Sequence, residues 1–150
     1  MGSSAAIAIS TIYTANAQRQ AGKASQRIAE WNADVAGKQA DDAIARGRET
    51  ERRQRIGIRQ TIGTQRAAFA AQGVEVDDGS ALEVAQDTAA LGELDLMTIR
   101  NNAAREAWGY RVGESDYRYK GTMANITGNQ QAAGTILTGA SSIANNQAKD

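Results

Sequence analysis

The chain contains no cysteine, no histidine and no proline among its 150 residues. Without cysteine there is neither a disulfide framework nor a thiolate metal site, and without histidine the commonest general base and metal ligand is missing. No motif brings two carboxylates together in a pocket, so the sequence offers nothing for acid–base or nucleophilic catalysis. The sequence therefore predicts a protein that is not an enzyme and that binds no cofactor or metal.

Large apolar side chains are also scarce. The chain has 30 alanines but only 5 leucines. Alanine is the best helix former but buries little surface, and the absence of proline leaves nothing to interrupt very long helices. Such a composition suits thin, closely packed helices better than a deep globular core. We therefore expect much of the burial to come from neighbouring copies or from a partner.

A turn divides the chain near its middle. Gly73 follows a long helical pattern, at the position where helices commonly end with a positive φ. Asp77-Asp78-Gly79 is a turn signal, and Ser80-Ala-Leu-Glu83 has the form of a capping box that satisfies free backbone N–H groups. The acidic pair lacks the alternating ligands and the final glutamate of a calcium loop. The predicted tip of the hairpin consists of Gly73, Asp77, Asp78, Gly79, Ser80 and Glu83.

These signals predict an all-α fold. We expect a long antiparallel helical hairpin with coiled-coil-like packing, which assembles into a ring or bundle of copies. It forms a single elongated domain with a first arm over about residues 5–72, a tip over 73–79 and a second arm over 80–120. A tail rich in small residues follows over 121–150.

Apolar residues in the first arm recur at steps of three and four, which is the spacing of a helix-to-helix contact. Within it, Trp31 is interpreted as a large residue that fills space between alanines, and the alternative is a residue at a membrane interface. The predicted seam passes through Ala17, Ala21, Ala24, Ile28, Trp31 and Val35, and then, on a shifted face, through Ala40, Ile44, Ile58, Ile62 and Phe69.

Charge is unevenly distributed although the formal net charge is zero. Residues 19–71 include 11 basic and 6 acidic side chains, a balance of +5, whereas residues 72–120 include 5 basic and 10 acidic ones, a balance of −5. The two arms therefore attract each other when they fold back. Because a single surface ion pair is worth only about 0–1 kcal/mol, we interpret the asymmetry as a determinant of register and partner choice.

Seven arginines between residues 46 and 66 have two interpretations. They form a phosphate-contacting stripe for double-stranded DNA, or a solvated face that pairs with the acidic second arm. Folding about the predicted turn places residues 52–59 opposite about 91–98, where Glu93 and Asp95 lie, which favours the second interpretation. A basic inner face of a ring is a further alternative. The seven are Arg46, Arg48, Arg52, Arg53, Arg55, Arg59 and Arg66.

Both ends of the chain lack charged side chains, over residues 1–18 and 121–148. In a hairpin these two segments lie side by side. Neither is apolar enough for an ordinary membrane span, which needs about 20 predominantly apolar residues. The tail is interpreted either as a flexible polar terminus or as an element that packs closely in an assembly or a membrane. Its candidate membrane or oligomer contacts are Gly134, Ile136, Leu137, Gly139 and Ile143.

Part of the chain is similar to a known family. It includes the tip sequence QGVEVDDGS at residues 72–80 and the sequence IRNNAAREAWGY at residues 99–110. Together with Trp31-Asn32-Ala33 and the arginine-rich middle, this pattern resembles the small internal virion proteins of T7-type short-tailed phages, also called core or ejection proteins. The similarity is clearest over about residues 27–120.

The resemblance implies a structural virion protein in the capsid interior, near the portal or tail. Such a protein leaves with the genome at infection and helps form a DNA-translocation conduit across the host cell envelope, at the outer-membrane end. The implied partners are copies of itself, other internal virion proteins, portal or tail proteins, genomic double-stranded DNA bound non-specifically, and the host outer membrane.

The alternative is a static helical adaptor or plug that is bound to the portal or tail inside the virion, without membrane insertion. The polar tail favours the adaptor, whereas the charge-free ends favour the conduit. A DNA-packing protein is a third hypothesis, and the zero net charge speaks against it. The polar residues of the tail are Asn129, Gln130, Gln131, Asn145 and Asn146.

Overall fold

The structure, a computed structural model, describes residues 2–148, with side chains described from residue 5 onwards. It contains two helices, α1 over Gly2–Ala71 and α2 over Gly79–Gln147. They pack against each other as a hairpin, which confirms the predicted all-α hairpin. Because α2 continues without a break to Gln147, the interpretation of the tail as a flexible terminus is wrong over residues 121–147.

Contacts divide the chain into two compact units, each with part of both helices. The turn unit comprises Gly37–Arg111. The terminal unit comprises Met1–Ala36 together with Val112–Asp150.

Helix α1 ends in a Schellman motif built on Gly73. The N–H of Val74 donates to the carbonyl of Phe69 at 3.1 Å, and the N–H of Gly73 donates to the carbonyl of Ala70 at 3.0 Å. This motif requires a left-handed residue just after the helix, and Gly73 has a φ of 74°. Glycine adopts that conformation without a Cβ clash. Carbonyls that the helix would leave unsatisfied are therefore bonded within the turn.

Helix α2 begins at Gly79, which also has a positive φ, 58°. Its N–H donates to a carboxylate oxygen of Asp78 at 2.7 Å. Within residues 5–148 the side chains of Ser80 and Glu83 are exposed and make no hydrogen bond. The predicted capping box is therefore wrong. Since the helix starts one residue earlier than predicted, Ser80 lies inside the first turn, and Asp78 takes the role of acceptor.

The core of the turn unit is narrow and consists mostly of alanine. Leu96, 1% exposed, is the largest fully buried side chain in the described part of the chain. Alanine side chains allow the two helices to approach closely, but each contributes little apolar burial. The central cluster consists of Ala40, Ala43 and Ala107, with Ile44 and Tyr110 packed against it.

Two glycines set the register of the helices in the turn unit. A Cβ added to Gly92 would lie 2.6 Å from Cδ1 of Ile58, and one added to Gly47 would overlap the methyl group of Ala103. Ile58 therefore occupies space that only a glycine leaves free. This pairing confirms the predicted register, which placed residues 52–59 opposite about 91–98.

In the terminal unit the two helix backbones touch. A Cβ added to Gly128 would lie 3.0 Å from Cα of Gly22 and 2.9 Å from the carbonyl oxygen of Gln18. Two turns earlier, a Cβ added to Gly121 would lie 3.0 Å from Cβ of Ala29. The seam is thus built from residues with almost no side chain.

Polar side chains also bridge the helices of the terminal unit. Nδ2 of Asn125 donates to Oε1 of Gln26 at 2.6 Å, and Oγ1 of Thr135 donates to Oε1 of Gln18 at 2.9 Å. Each of these bonds is worth about 0.5–1.5 kcal/mol. The polar residues of the tail therefore serve, in part, to hold α2 against α1.

The seam predicted for the first part of α1 is only partly confirmed: Ala24 and Val35 are half-buried, but Ala17, Ala21, Ile28 and Trp31 are exposed. Ile28 is 62% and Trp31 67% exposed, whereas Ala33 and Ala36 are buried. Because the helices pack as closely as their smallest residues allow, alanine and glycine form the seam and the stripe with Trp31 faces away from it. The second part of the prediction is confirmed, since its residues are buried or half-buried: Ala40, Ile44, Ile58, Ile62 and Phe69.

Candidate interaction surfaces

The arginines of residues 46–66 lie on α1 in the turn unit and pair largely within that helix. Arg52 and Arg53 pair with Glu49 at 3.2 and 3.1 Å, one turn away. Arg55 pairs in the same way with Glu51 at 2.8 Å. The side chains of Arg52 and Arg53 are largely solvated, so their pairs with Glu49 contribute at most about 1 kcal/mol each. They hold the arginine side chains along the helix surface.

Two of the seven arginines reach beyond α1. Arg46 pairs with Glu106 of α2 at 2.6 Å and also with Asp42 of its own helix. Arg66 pairs with Asp77 in the connecting segment. The acidic second arm therefore provides a partner for one arginine of the stripe.

The expected partners Glu93 and Asp95 form no ion pair within the described residues. Arg48 and Arg59 form none there either. Glu93 lines a groove together with Arg55 and Arg59, so it lies near the stripe without a direct contact. The interpretation that the arginines pair with the acidic second arm is therefore wrong for Glu93 and Asp95.

Glu51 is the acidic residue most enclosed by this stripe, with its side chain 18% exposed. It accepts hydrogen bonds from Arg100 of α2 at 2.6 Å and from Arg55 at 2.8 Å. The hydrogen bond from Arg100 lowers the pKa of the Glu51 carboxyl below its usual value, and the charges of both arginines add to the effect. Nε of Arg55 is buried and has no hydrogen-bond partner among the described residues.

The charge-free segments belong to the terminal unit and pack against each other there. Gly139 is buried against Thr11. The outer surfaces of both segments carry apolar side chains, including Ile9 and Tyr13 on α1 and Leu137, 71% exposed, on α2. Every charged residue within 5–148 lies between residues 19 and 120. In these segments the surface of the terminal unit therefore consists of apolar and uncharged polar side chains.

The five candidate contacts of the tail divide into two groups. Ile136 and Leu137 are exposed, and Gly134 has no neighbouring atom near the position of a Cβ. Gly139 and Ile143 are buried and half-buried in the hairpin itself. Only the first three are therefore available to another molecule.

Several large apolar residues on the outer faces of the helices have no partner in the chain. Leu94 is 60% and Trp108 69% exposed on α2 of the turn unit, and Met97 lies between them. Their spacing is helical, but sequence alone did not show that this side of α2 faces away from α1. Tyr119, Met123 and Ile126 form a similar exposed group in the terminal unit.

Within residues 5–148 no three acidic side chains converge as a metal site would require. Among residues 2–148, neither helix contains a segment with the length and apolar character needed to cross a membrane. No known family model, curated protein or solved structure matches the chain. The function therefore has to be inferred from the residues themselves.

Proposed function

We propose that this chain is a structural phage virion protein that is ejected with the genome and helps form a conduit for DNA across the host envelope, at its outer-membrane end. The observation that carries the proposal is the pairing of residues 5–18 with residues 121–148. Both segments lack charged side chains and expose apolar ones. A surface of this kind suits contact with a lipid interface, where burial of a charge would be costly.

The narrow core supports passage through a confined opening. The buried apolar residues of the described chain are eight alanines and one leucine. Since hydrophobic stabilisation is roughly proportional to the apolar area that is buried, little of it opposes unfolding. With no disulfide to break, the chain passes a narrow portal unfolded and re-forms its hairpin afterwards.

The sequence pattern supports the phage setting. The resemblance to ejection proteins rests partly on Trp31-Asn32-Ala33 of the terminal unit and mainly on two longer segments, residues 72–80, which form the turn, and residues 99–110, which lie further along α2. Both longer segments lie in the turn unit, whereas the charge-free segments lie in the terminal unit. The proposal therefore assigns envelope contact to the terminal unit and leaves the turn unit for contacts with other proteins.

The test is flotation and dye release with the purified full chain and vesicles of phosphatidylethanolamine and phosphatidylglycerol. We expect the protein to float with the vesicles and to release the dye. Replacement of Leu137 by glutamate places a charge on the charge-free surface without touching the seam. It should weaken partitioning by roughly tenfold or more, since a buried leucine is worth about 1.5–3 kcal/mol.

The control is Ile56→Glu, which adds the same charge at an exposed apolar residue of the turn unit. This variant should float as the unchanged chain does. If neither the unchanged chain nor the control binds vesicles, contact of the terminal unit with lipid is ruled out and the conduit proposal fails.

A static adaptor bound to the portal or tail is the second candidate. It is favoured by the hydrogen bonds of Asn125 with Gln26 and of Thr135 with Gln18, which hold the polar tail in the hairpin without any membrane. For an adaptor we expect the protein to stay with emptied virions after ejection. Recovery of the protein in the host envelope fraction would exclude this role.

A further inference from the structure

The outer side of α2 in the turn unit carries exposed apolar side chains without a partner among the described residues, interrupted by Asn101 and Arg105 beside Trp108. Leu91, Leu94, Met97 and Trp108 are each at least half exposed. Leu94, Met97 and Trp108 are separated by 3 and 11 residues, about one and three helical turns, so they lie on one side of the helix. That side points away from buried Leu96. We call these four residues the α2 stripe.

The accessible surface of the chain is larger than a monomer of its mass normally has. It amounts to 10474 Å², whereas a compact protein of 15.9 kDa is expected to expose about 7,400 Å². The excess is about 3,000 Å². A subunit that contacts two neighbours buries about 1,600 Å² of its own surface, at about 800 Å² for each contact. The excess therefore leaves room for two such contacts on every copy.

The opposite helix of the turn unit offers a matching depression. Gly57, Gln60, Thr61, Thr64, Gln65 and Ala68 line a groove of about 550 Å³ on α1. No atom of the chain lies within 4 Å of a Cβ added to Gly57, although a glycine within a helix costs about 1 kcal/mol relative to alanine. Nothing inside the hairpin therefore requires this glycine. Four of its six lining residues have small side chains, which leaves space for large ones as knobs; we call it the α1 groove.

Charge favours contact between unlike helices of two copies. In the turn unit, residues 37–71 of α1 have eight basic and four acidic side chains, a balance of +4. Residues 79–111 of α2 have three basic and five acidic ones, a balance of −2. A contact of α2 with α1 of a second copy brings opposite charges together, whereas α2 against α2 brings like charges together. Among the described residues of the turn unit, the side chains without an ion pair are basic on α1, with Lys38, Arg48 and Arg59, and mostly acidic on α2, where Glu83, Asp87, Glu93 and Asp95 outnumber Arg105.

We propose that the α2 stripe of one copy docks in the α1 groove of a second copy. Such a contact is heterologous, since each copy uses two different surfaces, and it adds copies until a ring closes. The inference deepens the proposed function and rests on its assembly of several copies. It assigns that assembly to the turn unit, separate from the surface proposed to meet lipid.

The test is sedimentation velocity of the full chain in buffer without lipid. The unchanged chain should sediment as an assembly larger than a dimer. Leu94→Glu should shift it to monomers by removing a knob, and Gly57→Leu should do the same by filling the groove. Because leucine is the better helix former, Gly57→Leu should have a higher midpoint of thermal unfolding than the equally monomeric Leu94→Glu variant, so its loss of assembly is not loss of fold. Trp31→Glu, at an equally exposed residue of the terminal unit, should leave the assembly intact.

A mixture of Leu94→Glu with Gly57→Leu distinguishes the two kinds of symmetry. Each variant keeps one functional surface, so the mixture should form heterodimers and nothing larger. If Gly57→Leu still associates by itself, the contact joins α2 to α2 and the proposal is overturned. It is overturned equally if the unchanged chain is a monomer at all concentrations, or if it associates only when vesicles are present. Because the lipid test uses Leu137, either proposal can fail without the other.

Discussion

Gly22 and Gly128 face each other so closely that a Cβ on Gly128 would lie 3.0 Å from Cα of Gly22. The backbones of α1 and α2 are therefore in direct contact at this point of the terminal unit. Since a backbone cannot rotate aside as a side chain does, any added atom has to push the helices apart.

Replacement of Gly128 by alanine should lower the free energy of unfolding by about 1–3 kcal/mol, the usual effect of overpacking. Gly134→Ala is the control, because a Cβ there meets no atom within 4 Å. It should stabilise α2 by up to about 1 kcal/mol. Urea unfolding followed by circular dichroism measures both. Equal gains in the two variants would show that the backbones do not touch.

Replacement of Leu96 by alanine should destabilise the turn unit by about 2–3 kcal/mol, near the low end for a buried leucine because a narrow seam can partly collapse. Leu96 is 1% exposed, whereas Leu94, two residues away, is 60% exposed. Leu94→Ala should therefore change stability by no more than about 0.5 kcal/mol. The comparison should be made at a concentration where both variants are monomeric. A larger loss for Leu94→Ala would mean that the α2 faces are reversed.

Replacement of Gly73 by alanine should cost about 1–2 kcal/mol, because the residue has a φ of 74° and left-handed backbone is strained by a Cβ. Gly73→Asn should cost less, since asparagine tolerates this conformation. Gly63→Ala, at a helical position with open space around the added Cβ, should be stabilising. Thermal unfolding of the three variants ranks them, and equal costs for alanine and asparagine would contradict the Schellman motif.

Stability should fall in acid partly through Glu51. Its pKa is lowered in the folded chain by the hydrogen bond from Arg100, so its contribution is complete above its unfolded pKa, about 4.3. That contribution is lost as the pH falls through the lower folded pKa. Glu51→Gln should reduce stability at neutral pH and flatten the acid side of the profile. Arg100→Gln removes the donor of that hydrogen bond and should flatten the profile in the same way, and an unchanged profile in that variant would count against the Glu51 network.

Three features could be predicted from sequence: the two helices, the glycines of the turn, and the register of Ile58 with Gly92. The lengths of the helical segments, the turn residues and the distance of each residue from the turn determine them. The side of α1 that forms the first part of the seam could not be predicted. The part of α1 in the terminal unit has two stripes at helical spacing, one with Ile28 and Trp31 and one with Ala33 and Ala36. A hydrophobic pattern favours the larger side chains, whereas close packing of a two-helix hairpin selects the smaller ones.

The capping box failed for a related reason. Its sequence pattern is satisfied by Ser80 and Glu83, but the pattern does not specify which residue begins the helix. The positive φ of Gly79 allows the helix to start there, and the neighbouring Asp78 competes successfully as the acceptor. Likewise, sequence numbering placed Glu93 near the arginines of α1, but it did not determine whether the side chains would meet.

The glycines along the seam determine how the two helices align, because each leaves a space that fits one part of α1. Gly92, Gly121, Gly128 and Gly139 are spaced at unequal intervals of α2, and each lies opposite a different part of α1. A shift of one helix along the other by a turn or a heptad would place these glycines opposite residues that do not fit the space they leave. Alanine elsewhere along the seam is nearly uniform and would accept many alignments. The positions of the glycines therefore determine the correct alignment, since a misaligned hairpin would have steric overlap at these points.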